Sequence, residues 1–205
     1  MSRHTGPRLK IMRALGVELP GLSRKSIESR PNPPGQHGAT AARRRKSDYG
    51  LALIEKQKLR FNYGVSERQL RHLMVTARRR QGPTGDNLLQ LLECRLDNAV
   101  FRAGLAPTIP AARQLVSHCH VLLNGRRVNI PSIRLRAGDE IALRERSRNL
   151  PLVRETVADH ALSRPEWLEW DEAALKARVT RLPEADEVPF PVEIQLVVQH
   201  YANRV

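Results

Sequence analysis

The residues of this chain with the clearest chemistry are its arginines, and what they can do is hold phosphate. A guanidinium is planar, permanently charged, and offers paired N–H donors that match a phosphate or a guanine edge. Of the 35 lysines and arginines in 205 residues, 29 are arginine, and they face only 21 acids. The formal charge is +14 and the isoelectric point is near 11.0, so a polyanionic partner is expected. Codon usage in a GC-rich genome accounts for much of the preference for arginine over lysine, but not for the positive excess. That excess is uneven. Residues 1–90 carry 19 cations against 6 acids, residues 91–150 carry 10 against 5, and residues 151–205 carry 6 against 10. The polyanion is therefore expected on the first three quarters, leaving the acidic tail to meet protein.

The stretch from Cys94 to Arg146 is the most informative. Arg95, Arg102, Arg113, Arg126, Arg127 and Arg144 are expected on its exposed positions, with Asn98, Gln114, Ser117, His118 and Asn124 as further binding candidates. Two short helices and a small sheet must position them. The first helix puts Leu96, Ala99, Val100 and Ala103 on one face and stops at Gly104. The second opens with Thr108 as N-cap and Pro110 in its first turn, and buries Ala112, Leu115 and Val116. Asn124-Gly125 between apolar runs is a strong hairpin signal. Gly138-Asp139 then turns the chain into Ile141-Ala142-Leu143-Arg144.

Upstream, residues 1–47 have five prolines, little helical periodicity, and the run Arg43-Arg44-Arg45-Lys46 beside Tyr49. They read as a basic arm that is mobile alone and folds against RNA, leaving residues 48–205 able to fold without it. Candidates on the arm are Arg3, Arg8, Lys10, Arg13, Gln36, His37, Arg43, Arg44, Arg45, Lys46 and the adjoining Tyr49. Residues 50–62 read as a helix with Leu51, Ile54 and Phe61 inward and Lys56, Lys58 and Arg60 outward. Ser66 to Gln69 is a capping box. It opens a helix with Leu70, Leu73, Met74 and Ala77 on its apolar face, Arg68 and Arg71 as candidates, and Arg78-Arg79-Arg80 at its end. Asp86 begins a leucine-rich helix. Near the C-terminus, Val192 to Val198 alternates like a half-buried strand. Trp167 and Trp170, in an acidic neighbourhood, read as packing residues.

Several chemistries are set aside. His118-Cys119-His120 is the only local cluster of soft ligands, and structural zinc needs four, so no metal site is expected. No run approaches the roughly 18 apolar residues of a membrane span, and no signal peptide is visible. The two cysteines, 94 and 119, suit a reducing compartment. No phosphate-binding loop, Ser/His/Asp set or paired carboxylates stand out, and no cofactor is expected.

Pro33-Pro34-Gly35-Gln36-His37-Gly38, Ser47-Asp48-Tyr49-Gly50, Glu55 to Arg60, Tyr63-Gly64, Glu67-Arg68-Gln69 and Thr84 to Leu89 occur in the order found in the family of small-subunit ribosomal protein four. The segment from Cys94 onward resembles the RNA-binding module named after that family, and Gln195 to Val198 with Tyr201 is similar to its closing strand. The resemblance covers nearly the whole chain and is weakest from about 153 to 191. It implies an α+β fold in four parts: a basic arm at 1–47, a helical domain at 48–93, the inserted helix-helix-small-sheet module at 94–157, and a segment at 158–205 whose strand packs back on the helices. It implies a zinc-free, primary binder of small-subunit rRNA that nucleates assembly of the subunit body and influences decoding accuracy. Expected partners are the 5′ domain of that RNA, small-subunit protein five, and mRNA where it enters, with no membrane. The location is the cytoplasmic ribosome, or the plastid stroma if organelle-encoded.

Two rivals are weighed. Pseudouridine synthases with this module use an aspartate in a similar Arg-Leu-Asp motif. Here Arg95-Leu96-Asp97 lies inside the module's first helix, and too few residues follow for a catalytic domain, so Asp97 is expected to pair with an arginine or a backbone amide. A stand-alone RNA chaperone needs little beyond the module, and the flanking motifs argue against it. Positive charge disfavours a purely protein-binding adaptor. The chain departs from the family at Ile109, often an arginine there, and at Gln199-His200 and Ala202. Thr108-Ile109-Pro110 and Lys58 to Gly64 are similar to the cyanobacterial and plastid branch.

Overall fold

Capping chemistry sets several element boundaries in the computed structural model, which describes residues 5–43, 45–160 and 162–202. Ser47 accepts a hydrogen bond from the Gly50 amide and opens α3 (Asp48–Asn62). Ser66 and Gln69 form the expected reciprocal box at the start of α4 (Glu67–Arg78), whose buried face is Leu70, Leu73, Met74 and Ala77. Ahead of them lie α1 (Arg8–Leu15) and α2 (Gly38–Arg43); after them comes α5 (Thr84–Glu93). The described residues form two units, one running up to Leu88 and resuming at Pro189, the other spanning Leu89–Val188.

The first unit is helical. Its early residues are not a detachable arm: Met12 and Leu19 are fully buried, Leu22 nearly so, and the Gly21 amide donates to Asn62 Oδ1 at 2.9 Å. Removing residues 1–47 would uncover that core, which contradicts the expected independence of 48–205. Helix α3 also turns a different face inward. Ala52, Lys56, Leu59 and Asn62 are buried, whereas Leu51 is 41% exposed. A lysine is tolerated there because its Nζ reaches Glu67 Oε2 at 2.8 Å.

The C-terminal segment is α9 (Ile194–Ala202), not the expected strand. Its apparent alternation is short, and Val197 and Tyr201, four apart, fall on the face packed against α3 and α4. Gly85 leaves room for α9, since a Cβ there would come within 2.9 Å of Ile194. Tyr201 donates its hydroxyl to Glu67 Oε1 at 2.6 Å, and Arg78 Nη2 donates to the Tyr201 carbonyl at 3.0 Å.

The second unit is mixed. Its helices are α6 (Leu96–Arg102), α7 (Ile109–Ser117) and α8 (Pro151–Ala158). An antiparallel sheet holds β1 (Val121–Leu123), β2 (Arg126–Arg127), β3 (Glu140–Leu143), β4 (Leu168–Asp171) and β5 (Lys176–Val179) in the order β2-β1-β3-β5-β4. Residues 168–179 thus extend the sheet of this unit, and only the last part of the expected C-terminal segment joins the helices. Both turn residues of the first hairpin have positive φ, Asn124 at 50° and Gly125 at 75°, as a tight right-twisted hairpin requires. Trp167 is fully buried and the Arg164 guanidinium lies 4.5 Å from the Trp170 ring, in keeping with packing roles.

The Glu67 cluster predicts an acid-side loss of stability. Burial pushes this carboxyl up, but hydrogen bonds from Lys56 and Tyr201 and the charges of Lys56 and Arg60 outweigh it, leaving it below its ordinary 4.5. A depressed folded-state value means the contribution is whole above 4.5 and is lost as pH falls through the lowered value. Melting temperature from neutral pH to about pH 3 is expected to fall less in Glu67→Gln than in the parent. Parallel curves would show that the cluster contributes nothing.

Candidate nucleic-acid interface

The first arginines after the α5 turn face inward, contrary to expectation. Asp97 has no solvent exposure, and both of its oxygens are taken. Arg95 binds it through Nε at 3.0 Å and Nη2 at 2.8 Å, and Arg113 through Nε at 3.0 Å and Nη2 at 2.6 Å. The Asn98 amide donates to the same carboxylate at 3.0 Å. Alongside it, the buried carboxylate of Glu93 accepts from Asn98 Nδ2 at 2.9 Å and lies 3.7 Å from Arg102 Nε, while Arg102 Nη2 donates to the Glu187 carbonyl at 2.8 Å. Arg95, Asn98 and Arg102 are buried and reach no ligand from where they stand. Arg113 keeps 19% of its side chain exposed. The pairing of Asp97 was anticipated; the depth of the arginines was not, because alternation and spacing cannot show that two carboxylates occupy the core with them.

Exposed cations of this unit lie on the hairpin and the loop after it, and further ones at Arg146, Arg154 and Arg178. Arg126 and Arg127 project from β2, opposite Leu123 and Leu122 on β1. Asn124 is structural rather than free: its Nδ2 donates to Asp139 Oδ1 and its Oδ1 accepts from the Glu140 amide, each at 2.8 Å. These bonds tie the hairpin tip to the start of β3 and hold the two arginines in place. Arg134 and Arg136 are also exposed, on either side of buried Leu135. The alternation Ile133-Arg134-Leu135-Arg136 carried this signal, and the sequence reading missed it. Gln114 and His118 are exposed, Ser117 half-buried, and Arg144 half-buried with its Nη1 on the Cys119 carbonyl at 3.4 Å. Burial, His118 and Arg144 push His120 below its ordinary 6.5, and its Nδ1 shares a 2.9 Å hydrogen bond with Ser147. Among the described residues no group of three metal ligands comes together. Ile109, where the family often has arginine, is fully buried.

In the first unit, Arg8, Lys10, Arg45, Lys46, Tyr49, Arg68 and Arg71 are exposed. Gln36 and His37 are too, at the tip of a tight turn where Gly35 has φ of 108° and a Cβ on Gly38 would collide with the Pro33 carbonyl. Arg13 is half-buried, with Nε on the Asn32 carbonyl at 3.0 Å, and Arg8 Nη1 reaches the Leu22 carbonyl at 3.3 Å, so both brace the coil after α1. Lys56 is buried, Lys58 binds Glu55 at 2.6 Å, and Arg60 binds Gln57 at 3.2 Å, which corrects the outward placement of this trio. Arg3 and Arg44 lie outside the described residues, as does the side chain of Arg43.

A family model described as the ribosomal protein S4/S9 N-terminal domain matches residues 3–93, and an S4 domain model matches 94–141. Over the full length of both chains, the sequence is 69% identical to small ribosomal subunit protein uS4B of Nitrosomonas europaea and 67% to uS4 of Methylobacillus flagellatus. The chain belongs to the uS4 family. It is also 54% identical to uS4 of the cyanobacterium Thermosynechococcus vestitus, so the cyanobacterial likeness is present at lower identity than the other two. The uS4 family is structural rather than enzymatic. That agrees with an Asp97 whose oxygens are saturated and which has no exposure from which to act as a base.

Replacing Asp97 with asparagine is expected to destabilise the chain by about 3–5 kcal/mol in urea unfolding, because two guanidiniums lose their shared counter-charge inside the protein. A loss below about 1 kcal/mol would mean the pair is dispensable.

Proposed function

We propose that this chain is a structural constituent of the small ribosomal subunit that binds its RNA directly and early, at the 5′ domain, and nucleates assembly of the subunit body. The observation that carries this reading is a basic edge: Arg126 and Arg127 project from β2, directly after a two-residue turn tied down by Asn124 and Asp139. The exposed Arg134 and Arg136 extend that edge, and the cations and the Gln36-His37 turn of the first unit supply further contacts. Folded RNA is held mainly through backbone and shape, and preset cations suit such a target. Contacts with small-subunit protein five, an influence on decoding accuracy where mRNA enters, and residence in a cytoplasmic ribosome (or in the plastid stroma for an organelle-encoded chain) belong to the same reading.

The rival is a stand-alone RNA chaperone, separated by sedimentation: a subunit constituent stays with the small subunit through a high-salt wash. Binding to a 5′-domain RNA fragment is expected to weaken steeply with salt, each neutralised phosphate adding about −0.7 to −0.9 to the log–log slope. A slope shallower than about −3 would contradict an interface of many phosphates. Arg126→Ala with Arg127→Ala is expected to reduce the affinity and flatten the slope without lowering the melting temperature. Unchanged affinity and slope would leave the hairpin pair only a solubility role.

A further inference from the structure

A carboxylate at the basic edge of the second unit repels RNA by charge alone, and Asp139 is such a carboxylate. Its neighbour Glu140 is neutralised by Lys176 at 2.9 Å, whereas Asp139 makes no ion pair among the described residues. Its two oxygens go instead to uncharged donors on separate segments. Oδ1 accepts from Asn124 Nδ2 at 2.8 Å, at the tip of the hairpin that leads into Arg126 and Arg127. Oδ2 accepts from the Arg136 amide at 2.7 Å, at the end of the loop that carries Arg134 and Arg136. We infer that Asp139 is a positioning residue for RNA binding, whose carboxylate sets the placement of the hairpin arginines relative to those of the loop. The inference rests on the chain holding RNA through this edge.

The chemistry of the position calls for an acceptor on both sides. An asparagine there could accept from only one of the two donors, because its other terminus is itself a donor; an ionised carboxylate accepts from both. The surroundings give each bond something to hold. The loop is anchored at Leu135, whose amide bonds to the Cys94 carbonyl at 2.8 Å, and it closes in a turn where the Asp139 amide returns to the Arg136 carbonyl at 3.1 Å. The hairpin tip is anchored to β3 by the Asn124 amide on the Glu140 carbonyl and by the Glu140 amide on Asn124 Oδ1, each at 2.8 Å. Among the described residues, the Asp139 side chain is the link that joins the Arg136 amide to the side chain at that tip. The negative charge beside the RNA is thus the consequence of a geometry that needs two acceptors.

Charge and positioning predict opposite signs for Asp139→Asn. With the full chain and a 5′-domain RNA fragment, loss of a negative charge alone would tighten binding. Positioning predicts a fall of about tenfold, the size of one charged hydrogen bond to phosphate, and a log–log salt slope shallower by about 0.7 to 0.9. The loss is not expected to add to that of Arg126→Ala with Arg127→Ala, since the carboxylate acts through those side chains. Asn124→Asp combined with Asp139→Asn re-forms all three side-chain bonds with the two groups exchanged and the net charge kept, and is expected to bind as the parent does. Parental or tighter binding by Asp139→Asn overturns the proposal, as do additive losses or an exchanged pair that stays weak. A loss of affinity that comes from unfolding at the assay temperature makes Asp139 a stability residue and overturns it too. A parent that does not bind the RNA, or that binds equally well without Arg126 and Arg127, defeats the reading of the edge itself, an outcome distinct from failure at Asp139.

Discussion

Two carboxylates without exposure to water, Asp97 and Glu93, govern how the second unit is built. An ionised carboxylate in a protein interior costs several kcal/mol of hydration unless cations and hydrogen bonds replace the lost water. Here Arg95 and Arg113 close on Asp97, and Arg102 and Asn98 on Glu93. The consequence is positional. Asp97 opens α6 and Arg113 lies on α7, so satisfying this one carboxylate sets the register of the two helices. The Leu96 amide bonds to the Ile133 carbonyl at 2.9 Å, and the Leu135 amide to the Cys94 carbonyl at 2.8 Å, which hold the loop bearing Arg134 and Arg136 against the start of α6. Replacing such a network by hydrocarbon need not cost stability. What the ions add is a single arrangement of helices and loop.

The arginines therefore divide by depth rather than by position in sequence. Arg95 and Arg102 spend their donors on the protein, whereas Arg126, Arg127, Arg134 and Arg136 face solvent. A strongly basic chain that binds a polyanion has to solve both problems with the same residue type. It must neutralise its own buried acids, and it must present a rigid positive surface outside. In the first unit the roles are reversed: the buried member of the pair is the cation, Lys56, and the exposed Glu67 neutralises it.

Elements fixed by local chemistry were legible in the sequence: the Ser66–Gln69 box, the Thr108 cap with Pro110, the Asn124-Gly125 turn, and the buried face of α4. Elements fixed by distant partners were not. Ile194 to Ala202 is rich in β-branched residues and alternates over a short span, yet it is a helix because α3 and α4 offer a groove for Val197 and Tyr201. The face of α3 was misjudged because Lys56 goes inward to a carboxylate eleven residues away, and Leu51 stays out. Strands β4 and β5 were missed although Lys176-Ala177-Arg178-Val179 alternates cleanly, since the acidic charge drew attention to this segment as a surface left to meet protein. At the candidate interface, charge pointed to arginines that include the exposed pair on the hairpin, but it could not separate solvent-facing arginines from those held by buried acids.

That separation can be read in one measurement: arginine-selective chemical modification of the chain, free and bound to small-subunit RNA, followed by mass spectrometry. Arg126, Arg127, Arg134 and Arg136 are expected to react in the free protein and to be protected by RNA, while Arg95 and Arg102 stay unreactive in both states. Modification of Arg95 or Arg102 in the folded free protein, with protection on binding, would contradict the division on which this reading of the structure rests.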